Sequence, residues 1–218
     1  LDFHTDSADV VALSCYNKAA SGGMSIAASS VAAYHAMRRE HPELADYLHQ
    51  PIHFSWQGEQ APDEAASYLH PLFDACDGKL FSKWNRNRVT SAQNIAGVPQ
   101  LSKQHWAALE AFDALVRRAD LAHSMWLQPG DLQIINSHVT LHSRTDFNDH
   151  DDPAQKRLLF RLWLAPPDGD QLPESWKVLY RAIGKGTVRG GIIGQQHDAA
   201  RKTYEQRQAA ALGMRLGD

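Results

Sequence analysis

The 218 residues, 43% hydrophobic and 22% charged, suffice for one soluble globular domain with a sizeable core. A formal net charge of −3 leaves no basic footprint for nucleic acid, and no apolar run approaches the roughly 20 residues that span a bilayer. Cys15 and Cys76 are too few for a disulfide framework and neither lies in a CxxC pair, so both are read as reduced thiols of a cytoplasmic protein with no signal peptide.

His4-Thr5-Asp6 opens the chain. Residues i and i+2 of an extended strand point the same way, so His4 and Asp6 can reach one ion together. Residues 9–16, rich in Val, Leu and small side chains, predict a buried strand. Gly22-Gly23 marks a turn and residues 25–28 a short strand. Ser29 or Ser30 caps a helix over 31–39, with Val31, Ala32, Tyr34, His35 and Met37 as candidates for its packed faces. Pro42 suits the first position of a second short helix through Leu48. Strand-like runs at 51–56 and 71–84 flank a polar loop near 58–66. Residues 85–99 carry Asn, Gln, Gly and Pro and read as a long loop, of the kind that serves as lid or pocket wall.

Residues 101–119 give the clearest helix, because Trp106, Leu109, Phe112, Leu115 and Val116 form one apolar stripe. Strands follow at 125–127, 131–136 and 138–141 around Pro129-Gly130. Residues 146–154 read as an acidic surface loop and 157–164 as a strong strand ended by Pro166-Pro167. Residues 205–216 suggest a loosely held helix. Strands dominate the motif-bearing parts, so the expected fold is mainly β with flanking helices: a double-stranded β-helix, or jelly-roll barrel, with helices packed outside. One domain over 1–218 with a tail from about 196 is expected.

His142, in Leu-His-Ser-Arg, can complete a set of two imidazoles and one carboxylate if it arrives from another strand. Three such ligands occupy one face of an octahedral ion and leave the other open, the facial triad of non-haem Fe(II) oxygenases. Arg157 and Arg161, four residues apart on one strand, are expected on the same side. A guanidinium fork matches a carboxylate bidentately, which Lys does not. His53, His70, His105, His123, His138, His150 and His197 have no ligand-like spacing and read as structural or exposed. Residues 149–152 read as a solvated charge run, Arg189-Gly190-Gly191 as a turn, and Arg144 as an outer partner of the site.

Four segments in order resemble the taurine dioxygenase/2,4-D dioxygenase family. Phe3-His4-Thr5-Asp6-Ser7 resembles its iron-binding strand, and Gly22-Gly23-Met24-Ser25 its Gly-Gly-X-Ser/Thr turn. The segment from Gly130-Asp131 through Leu141-His142-Ser143-Arg144 resembles its distal-histidine segment, and Arg157 through Leu164 its arginine strand. The resemblance implies a jelly-roll oxygenase with His4, Asp6 and His142 on Fe(II), and with 2-oxoglutarate and O2 as co-substrates. It makes Arg157 the anchor of the 2-oxoglutarate C5 carboxylate, helped by the Ser25 hydroxyl. It offers Arg161 as a second 2-oxoglutarate-binding candidate, able either to exchange the anchoring role with Arg157 or to meet an anionic group of the substrate. Asp6 stands where halogenating relatives carry a small residue, so hydroxylation or desaturation is expected. The family carries further residues ahead of the His-X-Asp segment, so the first barrel strands are expected to be missing, with unpaired edges as the consequence.

The substrate is expected to be a small molecule, with taurine, aryloxyacetates, other small carboxylates and larger natural-product precursors all open. No nucleic acid or membrane partner is expected, and a homo-oligomer is allowed. A zinc hydrolase could use the same three ligands, but would not need Arg157, Arg161 and Ser25. A non-catalytic jelly-roll binding module would not need a complete ligand triad.

Overall fold

A computed structural model describes residues 1–192 and 198–217; His197 lies outside the described residues. In chain order, β1 (Val10–Asn17), β2 (Ser21–Gly22) and β3 (Ser25–Ser29) lead into α1 (Ser30–Glu40) and the short α2 (Pro42–Ala45). Next come β4 (Ile52–Ser55), β5 (Ser67–His70), β6 (Phe73–Cys76) and β7 (Lys79–Ser82), then α3 (Arg86–Ala92) and α4 (Lys103–Val116). The chain continues through β8 (Ala122–Met125), β9 (Leu132–Asn136), β10 (Thr140–Arg144), β11 (Phe147–Asn148) and β12 (Leu158–Leu164). It ends with α5 (Lys177–Tyr180), β13 (Thr187–Val188), α6 (Ala199–Leu212) and β14 (Arg215–Leu216).

The four longer helices, α1, α3, α4 and α6, start where side chains can satisfy their first amides. Ser29 caps α1 by accepting from Ala32 N–H at 3.2 Å, and Ser102 caps α4 by accepting from His105 N–H at 3.1 Å. The reading of 85–99 as a loop is corrected by the same physics. Asn85 accepts from Arg88 N–H at 3.1 Å and starts α3, so the stretch is half helical. The C-terminal helix also begins earlier than expected, at Ala199, because Asp198 caps it, and it stops at the left-handed Gly213. In α1, Met37 is buried as expected, but His35 is exposed, and Ser30, Ala33 and Ala36 complete the buried stripe.

Two antiparallel three-stranded sheets frame the centre of the molecule, in the orders β12–β1–β9 and β10–β3–β8. Among the described residues they do not close into one barrel. Alternation puts Leu13, Arg161 and Gln133 on one face of the first sheet, since Leu13 pairs with both. Ser25, Ala27, His142 and Arg144 share a face of the second. Ser25 Oγ donates to Gln133 Oε1 at 2.8 Å, so these two faces oppose each other across a polar interior. The reverse face of the first sheet is apolar and exposed at Leu132, Ile134, Phe160 and Leu162. The reverse face of the second packs into the helical layer, where Ala28 and Leu141 join Ala33, Met37, Leu109, Phe112 and Leu115 in one core. Each such Leu, Phe or Met contributes about 1.5–3 kcal/mol on burial.

His70 ends β5 inside this core, fully buried 4.3 Å from the Trp176 ring. Its Nδ1 bonds the Pro71 carbonyl at 2.6 Å, while its Nε2 has no partner among the described residues. Burial pushes its pKa down to about 3. The unfolded chain then binds the proton more readily than the fold between pH about 6.5 and that value, so the stability His70 allows is complete above pH 6.5 and is lost as pH falls. Moving from pH 7 to pH 5 should cost roughly 2 kcal/mol through this one group. Denaturant titrations should show a shallower loss over that range in His70→Leu; an identical slope would place the acid sensitivity elsewhere.

Candidate metal centre and active site

His4 is held by two neighbours at once. It exchanges N–H···O=C bonds with His142, both at 3.0 Å, and forms a second antiparallel bridge with Asn85. The pairing with β10 therefore brings the two imidazoles together, with ring centroids 4.2 Å apart. Asp6, two residues on, projects beside them. His4 Nε2 lies 3.8 Å from Asp6 Oδ1, and His142 Nε2 lies 3.8 Å from Asp6 Oδ2. One ligand atom from each of the three residues lies within 4.8 Å of the other two.

Those separations are too long for hydrogen bonds. Three atoms each about 2 Å from one octahedral ion lie about 3 Å apart, so a small inward turn of these side chains brings them onto a shared divalent ion. His4 Nδ1 meets the Asp2 carbonyl at 3.0 Å, which makes Nδ1 the protonated nitrogen and turns the Nε2 lone pair toward Asp6. Burial lowers the His4 pKa. His142 is pushed down to about 4 by burial and then by His4, against the pull of Asp6. Both imidazoles are therefore neutral near pH 7, the form that binds metal. Among the described residues His142 Nδ1 is buried with no partner. Two neutral imidazoles and one carboxylate fit a borderline divalent ion such as Fe(II).

Asp6 is fixed from outside the triad. Trp163 Nε1 donates to its Oδ2 at 2.9 Å, and Arg161 Nη1 lies 3.4 Å from the same oxygen. Its backbone N–H donates to Ser137 Oγ at 3.0 Å. Trp163 was not among the residues singled out from sequence; it lies two positions beyond Arg161 on the same strand face.

The two arginines separate. Arg161 stands at the triad, half exposed. Arg157 lies at the other end of β12, with its guanidinium 5.0 Å from the Phe147 ring centroid; Arg144 covers the same ring at 4.6 Å. Burial and the neighbouring Arg144 depress the Arg157 pKa. Among the described residues no carboxylate forms an ion pair with Arg157. The Gly22-Gly23 turn makes room for it. Both glycines have positive φ, 71° and 77°; a Cβ on Gly22 would meet Asp146 O at 2.1 Å, and one on Gly23 would stand 3.2 Å from Arg157 Nε.

Ser25 and Gln133 complete this interior. Gln133 Oε1 accepts a hydrogen bond from the Ser25 hydroxyl, and among the described residues Gln133 Nε2 is buried without a partner. Gln133, missed from sequence, is thus an unspent donor facing the same interior as His142. A cleft of about 320 Å³ is lined by Gly23, Trp126, Arg157 and Leu159, and a larger one of about 950 Å³ by Arg161, Trp163, Arg189 and Arg201. Arg144 touches Phe147 rather than the triad. The Arg189 segment is a turn at Gly190, but the Arg189 side chain is a buried ion-pair partner of Asp9.

The profile described as "Taurine catabolism dioxygenase TauD, TfdA family" matches residues 1–163. The chain belongs to the TauD/TfdA family. Among curated relatives it is 32% identical over 178 residues to FR-33289 synthase of Streptomyces rubellomurinus, covering 80% of this chain and 52% of that protein. It is 27% identical to the taurine hydroxylase-like protein SAT17 of Stachybotrys chartarum, covering 77% of this chain and 45% of that one. The chain spans about half the length of these relatives.

Solved structures share the TauD/TfdA-type fold. An asparagine oxygenase in complex with Fe(II), a hydroxyasparagine and succinate matches with a TM-score of 0.55 at 20% identity, covering 75% of this chain and 49% of that one. The non-haem iron oxygenase OrfP in complex with Fe and alpha-ketoglutaric acid matches with a TM-score of 0.53 at 18% identity, covering 78% and 50%. The fold is thus that of the double-stranded β-helix oxygenases, mainly β with flanking helices.

Proposed function

We propose that the protein is an Fe(II)- and 2-oxoglutarate-dependent dioxygenase that hydroxylates a small, anionic organic substrate. The convergence of His4, Asp6 and His142 carries this reading. When bound, Fe(II) and 2-oxoglutarate supply the oxidising chemistry, consuming O2 and releasing succinate and CO2.

The chain's own residues do the positioning. His4, Asp6 and His142 hold the ion on one face and leave the opposite face open. Trp163 and the Asp2 carbonyl fix the orientation of Asp6 and His4. Arg157 anchors the distal carboxylate of 2-oxoglutarate, with Gln133 and Ser25 as neutral partners between the sheets. The Arg157 guanidinium beside Arg144, unpaired among the described residues, supports Arg157 for this role over Arg161, which is already engaged by Asp6. Arg161 and Trp163 then face the substrate from the larger cleft.

A shielded charge-assisted pair is worth roughly 1.5–3 kcal/mol. Arg157→Ala should therefore raise the 2-oxoglutarate KM about tenfold or more, and Arg161→Ala should raise it less. Steady-state succinate release measures both. A larger effect from Arg161 would exchange the two roles. Turnover sustained by zinc, without O2 and without 2-oxoglutarate, would establish a hydrolase instead.

A further inference from the structure

Lysine is almost never fully buried unless it is paired, and Lys83 departs from that rule beside the metal ligands. It is 3% exposed. Its ammonium donates to Ser7 Oγ at 3.0 Å and to the Thr5 carbonyl at 3.4 Å, both neutral oxygens. Among the described residues no carboxylate lies within ion-pair distance of it. A buried cation with three donors and two neutral acceptors is poorly compensated.

The strand register places this cation at the ligands. His4 bridges Asn85 and Thr5 N–H donates to the Trp84 carbonyl at 2.9 Å, so Lys83 stands opposite Asp6 in the antiparallel pairing and shares its face. Thr5 and Ser7, the two residues that hold the ammonium, flank Asp6 in the chain. The ammonium is thus tied to both sides of the residue that supplies the only carboxylate of the triad.

Its charge reaches His4 and His142, where it opposes a second positive charge. Burial pushes the Lys83 pKa down to about 8, Arg88 adds to the fall and Asp6 resists it, so the group is mostly charged at pH 7. Arg161 is also a cation at Asp6, but its side chain is 51% exposed and water screens it. Repulsion between a fixed charge and an ion grows with the charge of the ion, and a low-dielectric interior strengthens it. A trivalent ion is therefore opposed more than a divalent one.

We propose that Lys83 sets the charge of the metal centre: its buried ammonium weakens the hold on a divalent ion and favours ferrous over ferric iron. It offsets the Asp6 carboxylate in the metal-free protein and opposes the ion in the loaded one. Lys83 touches no ligand atom of the triad, so it is a positioning residue, acting through its field and through Thr5 and Ser7. This deepens the oxygenase reading and rests on the metal-binding part of it alone, whatever the substrate.

The test is calorimetric titration of Mn(II) into the intact protein, with potentiometry of the iron-loaded protein beside it. Lys83→Met removes the charge. Lys83→Gln removes the charge but keeps a donor for Ser7 and Thr5. Both should bind Mn(II) about tenfold more tightly than the parent. Their Fe(III)/Fe(II) potential should fall by about 59 mV, the equivalent of one tenfold gain in preference for the ferric ion. Lys83→Arg keeps the charge and should stay close to the parent in both readings, as should the exposed Lys103→Met. A lysine that merely braced residues 5–7 would give weaker Mn(II) binding in Lys83→Met and recovery in Lys83→Gln; that result overturns the proposal. Unchanged affinity and potential in both variants overturn it too. A parent that binds no Mn(II) removes the metal centre and the proposal together. Succinate release from 2-oxoglutarate is measured on the same preparations. Tighter Mn(II) binding in the variants, with no succinate from the parent, supports the role of Lys83 and counts against the oxygenase. Succinate from the parent with unchanged affinity and potential in the variants does the reverse.

Discussion

Asp6→Ala should abolish succinate release and should weaken Fe(II) or Mn(II) binding by at least about a hundredfold. Asp6 is the one anionic member of the triad, and it faces both histidine Nε2 atoms at 3.8 Å. Loss of a mere outer-shell partner already costs about 10–100-fold in metal affinity; loss of a ligand costs more. Its removal also strands the Trp163 indole N–H, which donates to Oδ2. Asp6→Asn separates the two effects. It keeps an oxygen for Trp163 and the side-chain shape but lacks the charge that balances the ion. It should fold with near-parental stability and bind metal poorly. Calorimetric metal titration together with thermal unfolding reads both. An Asp6→Ala variant that still turned over 2-oxoglutarate would end the facial-triad account. Zinc should compete for the same three atoms and inhibit, since it has no redox chemistry.

Much of this centre was readable along the chain because its geometry is local. His4 and Asp6 share a face by strand alternation alone, and Gly22-Gly23 announces a turn that needs positive φ. The stripe in 101–119 is an arithmetic pattern, and it is the buried face of α4. The capped start of α3 was also local but was missed, because Gly and Pro later in 85–99 outweighed Asn85.

What stayed hidden depends on pairings far apart in sequence. Arg157 and Arg161 looked like a pair, since residues four apart on a strand share a face. Four residues are also about 13 Å of extended chain, enough to put one at Phe147 and the other at Asp6. A register shift between Cys15 and Asn17 sits near the Arg157 end of the pairing with β12. Lys83 reaches the metal-side face only because residues 83–85 pair with 4–6, and a lysine in a strand-like run otherwise reads as solvent-facing.

The Arg189 side chain shows the same blindness most sharply, and it sets the largest stability effect expected here. Arg189 is 180 positions from Asp9 but donates to both its oxygens, from Nε at 3.0 Å to Oδ2 and from Nη2 at 2.5 Å to Oδ1. Its remaining donors reach the carbonyls of Ile183, Gly184 and Asp170. His138 Nε2 meets Asp9 Oδ1 from the other side at 3.0 Å. Burial pushes the Asp9 carboxyl pKa up, but the bonds from His138 and Arg189 outweigh it and hold it low. Gly191 N–H adds a bond to the Ser7 carbonyl at 2.7 Å, so this segment clamps the stretch that carries Asp6 and Ser7.

Arg189→Met leaves a buried carboxylate with only His138 for company, and breaking a buried pair in this way costs about 3–5 kcal/mol. At roughly 2–4 °C per kcal/mol for a chain of this size, Tm should fall by about 10 °C. Asp9→Leu combined with Arg189→Met removes both charges and should recover part of the loss, because the penalty lies in the unpaired partner rather than in the pair. Exposed Lys202→Met should leave Tm unchanged. A double variant no better than Arg189→Met alone would show that the clamp acts through packing and backbone bonds rather than through the buried charge.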